Sequence, residues 1–146
     1  MKNKVLIILF IFIVVFIIFA YMIYNYRSTA IQAQKINNEY KSYSNMQMLG
    51  TELVSIMNKT ADINEKNVIE KDKDSIYREN DTNSIKIYIE LKYKEDYKTL
   101  EMEKILNNGI ENFIKSYGAA SFKCTNISYH NKTKNVKELT FTETDD

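Results

Sequence analysis

Proline and tryptophan are absent from this sequence, cysteine occurs once, and there are only three glycines. Without proline, no position is barred from a helix by a missing amide hydrogen, so other residues must set where helices end. Cys124 has no second thiol to pair with, so the folded part must rest on an apolar core rather than on an intramolecular disulfide. Lys and Arg number 20 against 19 Asp and Glu, a net charge of +1, with none of the basic surplus that draws a protein to nucleic acid. No nucleic-acid partner is expected. Zinc-spaced Cys and His pairs, a Walker loop, GxSxG and GxGxxG are also missing. We therefore expect no enzyme activity, no catalytic, cofactor-binding or metal-binding residues, and no cofactor.

A local absence carries more information. Residues 5–24, VLIILFIFIVVFIIFAYMIY, hold no charge, no amide, no Gly and no Pro. At ~1.5 Å per residue a helix of that length reaches roughly 30 Å, the hydrocarbon thickness of a bilayer. Lys2 and Lys4 precede the run, the layout shared by signal peptides and signal anchors. A cleaved signal has an apolar core of about 7 to 15 residues and a small residue three before the cut, whereas this run is longer and Ala20 has Ile18 at that place. The expectation is a retained anchor. Val5, Leu9, Phe12, Phe16 and Phe19 are assigned to the lipid bilayer, with Tyr21 and Tyr24 at the far interface beside Tyr26 and Arg27. A short positive N-terminus favours a cytoplasmic start, hence a single-pass protein of the cell membrane with its C-terminal module extracytoplasmic. The span offers no ionisable group for an ion path.

Residues 1–27 are thus read as anchor, 28–60 as amphipathic helix or stalk, and 61–146 as a small module. No breaker stops the helix after Tyr24, so it is expected to run on to about Lys59. Ile36, Tyr40, Tyr43, Met46, Leu49, Leu53 and Ile56 recur at spacings of three and four, an apolar stripe that needs a partner. Two partners fit. The stripe packs on the chain's own module, or Ile36, Tyr40, Tyr43, Leu49, Leu53 and Ile56 form a helix-packing interface with other membrane-anchored subunits. Gly50, costly inside a helix, marks a kink or a close contact.

Residues 61–74 read as a polar connection and 75–79 as a short strand. NDTN, residues 80–83, has side chains that bond their own backbone in turns. Ile85, Ile87, Ile89, Leu91 and Tyr93 then alternate with Lys86, Tyr88, Glu90 and Lys92, a strand with one buried and one wet face. Thr99 is the expected N-cap of a helix with Glu101 and Glu103 in its first turn, an apolar stripe from Met102 to Tyr117, and Lys115 and Gly118 at its close. Phe122, Cys124, Ile127 and Tyr129 predict a strand whose alternation slips by one after Cys124, the sign of a bulge. After a polar turn at 131–135, Val136, Leu139 and Phe141 predict a last strand, and TETDD a frayed tail. The fold class is α+β, a long N-terminal transmembrane and amphipathic helix followed by a ββαββ module with an antiparallel or mixed sheet.

Two residue pairs invite chemistry. Cys124 and His130 lie six apart on one predicted strand, about 20 Å at ~3.3 Å per residue, too far for a thiol and imidazole dyad. The plainer reading is a buried thiol and a solvated imidazole at a hairpin edge. Asp72 and Asp74 begin like a calcium loop, but Tyr77 stands where the loop needs Gly, leaving a solvated charge run. The abundance of Lys, Ile, Asn and Tyr matches the bias of an AT-rich genome, so the tyrosines carry little weight one by one.

An apolar helix, VLIILFIFIVVFIIFAYMIYNY, followed by the amphipathic stripe and the SIKIYIELKY strand, resembles the lollipop layout of bacterial type IV pilins and pseudopilins. The likeness is one of layout: KNKVLIILF has neither their Gly-aromatic processing site nor their acidic residue inside the helix. It implies a structural or accessory subunit of a pilus-like or secretion-like envelope assembly. A membrane-tethered sensory or binding domain, with a pocket between helix and sheet for a ligand or peptide, is the alternative.

Overall fold

The computed structural model of the chain describes residues 2–145. They divide into two compact units, one ending at Ile36 and the other beginning at Asn37. The first is helix throughout, the greater part of α1, Lys2–Ser42. Within the second come β1 (Gln47–Leu49), α2 (Gly50–Lys66), β2 (Lys86–Tyr93), β3 (Asp96–Glu101), α3 (Met102–Asn107), α4 (Ile110–Tyr117), β4 (Ser121–Tyr129) and β5 (Val136–Thr144). The strands form one open mixed sheet in the order β1-β4-β5-β2-β3, with β2 and β5 parallel and the other neighbours antiparallel. The chain is α+β.

The expected unbroken helix to about Lys59 is corrected: α1 stops at Ser42 and α2 starts afresh at Gly50. No Pro or Gly lies within residues 43–49, and Gly50 stands only at the restart. Instead Asn45 takes a left-handed φ of 61°, tolerable for Asn, and its N–H donates to the Cys124 carbonyl. Gln47–Leu49 then pairs with β4 and buries Met48 opposite Phe122. Strand pairing and burial together override a helical pattern that is locally sound.

The alternation in β2 holds from Ile87 to Leu91, with Ile87, Ile89 and Leu91 buried against Leu139 and Phe141 of β5 and Phe122 and Cys124 of β4. It is corrected at both ends: Tyr93 is exposed and Lys86 is buried. Leu53 and Met57 of α2, Met102 and Ile105 of α3, and Phe113 of α4 complete this core. The opposite face carries Tyr88, Glu90, Thr140 and Thr142, all half-buried. The β4 and β5 register shifts between Cys124 and Asn126, where the alternation slips.

Four further expectations are corrected. Residues 75–79 form no strand, only an isolated bridge from Tyr77 to Lys71. The missing strand lies after β2: Thr99 belongs to β3, and the helix begins at Met102 with Glu101 as its cap residue. That helix is two, parted at Gly109, whose φ of 93° suits a residue without Cβ. The tail is not frayed through its length, since β5 extends to Thr144 and Glu143 accepts the Lys92 N–H at 2.8 Å.

Gly50 is a close contact, and a Cβ there would stand 2.0 Å from the Tyr117 carbonyl oxygen. Its N–H donates to Ala120 O at 3.0 Å, and Thr51 N–H to Gly118 O at 3.2 Å. Gly50→Ala should therefore destabilise the protein by about 1 to 3 kcal/mol, the usual range for overpacking, read from urea unfolding. At the other end of α2, Val68 N–H bonds Glu65 O and Ile69 N–H bonds Asn64 O, a Schellman closure with Val68 at φ 56° and 84% exposed. A β-branched residue is strained there, so Val68→Gly should stabilise by about 1 kcal/mol in the same assay.

Candidate functional site

Every large apolar side chain from residue 5 to residue 24 is exposed, including Val5, Leu9, Phe12, Phe16, Phe19, Tyr21 and Tyr24. By length and composition this helix is long and apolar enough to cross a membrane. The stripe that follows is divided. Tyr40 and Leu53 are fully buried and Ile56 nearly so; Ile36 and Tyr43 are half-buried; Leu49 is exposed. Its buried members serve the chain's own module.

Tyr40 shows how. The Thr60 hydroxyl donates to the Ile56 carbonyl at 2.9 Å, so the Tyr40 Oη, 2.7 Å away, donates to Thr60 Oγ1. Burial drives the Tyr40 hydroxyl well above its ordinary range, and burial with the nearby Glu39 carboxylate raises Tyr43 to about 12. Tyr43 donates to Glu39, which also pairs with Lys59. Asn37 holds the far side of the module: its Oδ1 accepts the Val136 N–H at 2.8 Å and its Nδ2 donates to Lys134 O at 3.0 Å.

Two clefts flank these elements. One, of about 250 Å³, lies between the β2 and β3 hairpin and helices α3 and α4, with Leu91, Leu100, Ile105, Phe113 and Tyr117 in its walls and Lys104 and Asn112 at its rim. The other, of about 550 Å³, lies between the last turns of α1 and the β4 to β5 connection. Asn37, Asn38 and Lys41 line one side, Tyr129, His130, Asn131 and Lys134 the other. Among the described residues no carboxylate lines it.

The expectation of a solvated His130 is corrected: it is 3% exposed. Its Nε2 lies 2.8 Å from the Ser84 carbonyl, and because a carbonyl only accepts, Nε2 carries the proton. Ser84 is itself positioned by Asn80, whose Oδ1 accepts the N–H groups of Thr82, Asn83 and Ser84, the turn chemistry read from NDTN. Thr133 and Asn135 both donate to Thr82 O, tying the β4 to β5 turn to that loop. Cys124 is not near this chemistry. Its thiol leans on Asn126 O, and burial pushes it up to about 11, which keeps it protonated. Asp72 turns its carboxylate to the N–H groups of Asp74 and Ile76, which holds it below the usual range.

Sequence reasoning missed one buried charge pair. Lys86, placed on the wet face, is buried with its Nζ 3.5 Å from Glu103 Oε1 and 3.8 Å from Glu101. Glu103 Oε1 also accepts the Tyr77 N–H at 3.3 Å. Alternation alone gives no sign of it, because the paired carboxylates come from the end of β3 and the first turn of α3.

Comparison with protein-family models, with curated proteins and with solved structures finds no match.

Tyr40 and Cys124 hold their protons more tightly in the fold than their ordinary values of 10.0 and 9.0. The stability they confer is complete below about pH 8.5 and falls as pH rises through the unfolded values toward the folded ones. Urea unfolding should show a decline beginning near pH 9. Tyr40→Phe should cost about 1 kcal/mol at pH 7 through the lost hydrogen bond and make that decline shallower.

Proposed function

We propose that the chain is a non-enzymatic, single-pass protein of the cell membrane, retained by its apolar helix, with the 37–146 module acting extracytoplasmically as a tethered binding domain. The observation that carries this reading is a contrast in exposure. Residues 5–24 present apolar surface all round, whereas Tyr40, Leu53 and Ile56 of the following stripe are spent in the module's own core. A helix apolar on all sides finds its low-energy environment in lipid. A module that has covered its own stripe has clefts left to offer, including the apolar one between helix and sheet.

A second reading, a structural or accessory subunit of a pilus-like or secretion-like assembly, draws support from the layout: a long apolar N-terminal helix before a small sheet module is compatible with pilin-like folds. In that reading residues 5–24 bury themselves among the helices of other subunits.

Protease added to intact cells should remove the module and spare residues 5–24; cleavage from the cytoplasmic side alone would reverse the topology. Ile11→Lys places a charge mid-span, costing about 2.5 to 3.5 kcal/mol on insertion scales, and should reduce membrane retention in carbonate extraction. Unchanged retention would count against the anchor. Full-length protein in mild detergent should sediment as a monomer; recovery in a complex with other envelope subunits would favour the second reading.

A further inference from the structure

We infer that the 550 Å³ cleft between the end of α1 and the β4 to β5 turn binds an oxyanion, a phosphate or carboxylate group, between Lys41 and Lys134. This rests on the reading of the module as a tethered binding domain and names the ligand class. The cleft wall is cationic or neutral throughout, with two lysines, amide donors on Asn38 and Asn131, and the buried His130 ring. Many of the module's lysines are neutralised in place: Lys59 by Glu39, Lys86 by Glu103, Lys132 by Asp81 and Lys137 by Glu79. Lys41 and Lys134 form no ion pair among the described residues, and the Asn38 and Asn131 amides have no hydrogen-bond partner there. Glu39, the acid closest to Lys41 in sequence, is occupied by Lys59 and Tyr43. The carboxylates on the His130 and Asn131 side, Asp81 and Glu79, line an adjoining cleft and are paired with Lys132 and Lys137. Lys41 and Lys134 thus face the larger cleft without a paired acid, and a concave site is where an anion gains most from such charge.

The site is also held in shape before any ligand arrives. Lys134 has a left-handed φ of 60°, a costly conformation for lysine. Asn37 fixes it by bonding Lys134 O and Val136 N, and Lys134 N–H bonds His130 O at 3.0 Å. His130 is fixed in turn by Ser84. Rigid walls lower the ordering cost of binding. Lysine suits the task as a point charge for oxyanions, with the asparagine amides adding direction.

An oxyanion of this kind comes from solution or from a lipid headgroup, and the test separates the two. Full-length protein labelled with ¹⁵N is placed in nanodiscs of phosphatidylcholine and titrated with inorganic pyrophosphate. A parallel sample sits in discs containing phosphatidylglycerol, with no added anion. Saturable shifts at the amides of Asn131 and Lys134 in the first arm assign a soluble anion, and the same shifts in the second alone assign a headgroup. Either supports the proposal if Lys41→Gln with Lys134→Asn, an exchange that suits the left-handed position, weakens the effect at least about tenfold. No saturable shift in either arm, or shifts that survive the double substitution while Ile87 reports an intact core, would overturn it. Membrane retention unaffected by that failure would leave the tethered reading standing.

Discussion

The module hangs on the contact between Gly50 and the Tyr117 carbonyl. Four elements end or begin within a few residues of it: β1, α2, α4 and β4. The Gly50 and Thr51 amides, left without helical partners at the start of α2, donate to the carbonyls of Ala120 and Gly118 just beyond α4. One junction thus satisfies the orphan donors of one helix with the carbonyls that follow another. It brings the start of the module against its last third, and β1 falls into register with β4 as a consequence. Only a residue without Cβ permits that approach.

Asparagine does similar work elsewhere. Asn64, fully buried in α2, bonds both the N–H and the C=O of Ile85, at 2.9 and 2.8 Å, standing in for a strand partner just before β2. Asn67 donates to Asn83 O, Asn80 gathers three amides, and Asn37 closes the start of β5. In a chain with no proline and few glycines, these amides set loop geometry that special backbone residues otherwise set. Their abundance reads in the sequence as compositional bias, so their individual roles are invisible there.

Legibility followed burial. Strands β2, β4 and β5, central in the sheet, show their alternation plainly, and even the slip after Cys124 is written in it. Edge strands do not. Residues 96–99 of β3 are all exposed, so no apolar period marks them and the run toward Met102 reads as helix. β1 is three residues long and buries only Met48, which no pattern can betray. Asn107, Asn108 and Gly109 did carry a turn signal that parts α3 from α4, outweighed by the apolar spacing on either side. At the larger cleft, Lys41, His130 and Lys134 are brought together by α1 and the β4 to β5 turn, a closure that no local pattern encodes.

The sheet edges bear on how the module meets other proteins. A free strand is a template for lateral pairing unless it is short, charged or twisted away. β1 is too short to add a strand with much gain, and β3 sets Asp96, Lys98 and Glu101 along its length beside exposed Lys94 and Glu95. Both devices oppose sheet-to-sheet growth. With Tyr40, Leu53 and Ile56 withdrawn into the core, the stripe is no continuous docking surface either. Neither sheet edge nor the buried part of the stripe therefore presents a continuous surface for lateral pairing, and the exposed concave surface of the module is made of side chains rather than of unpaired backbone.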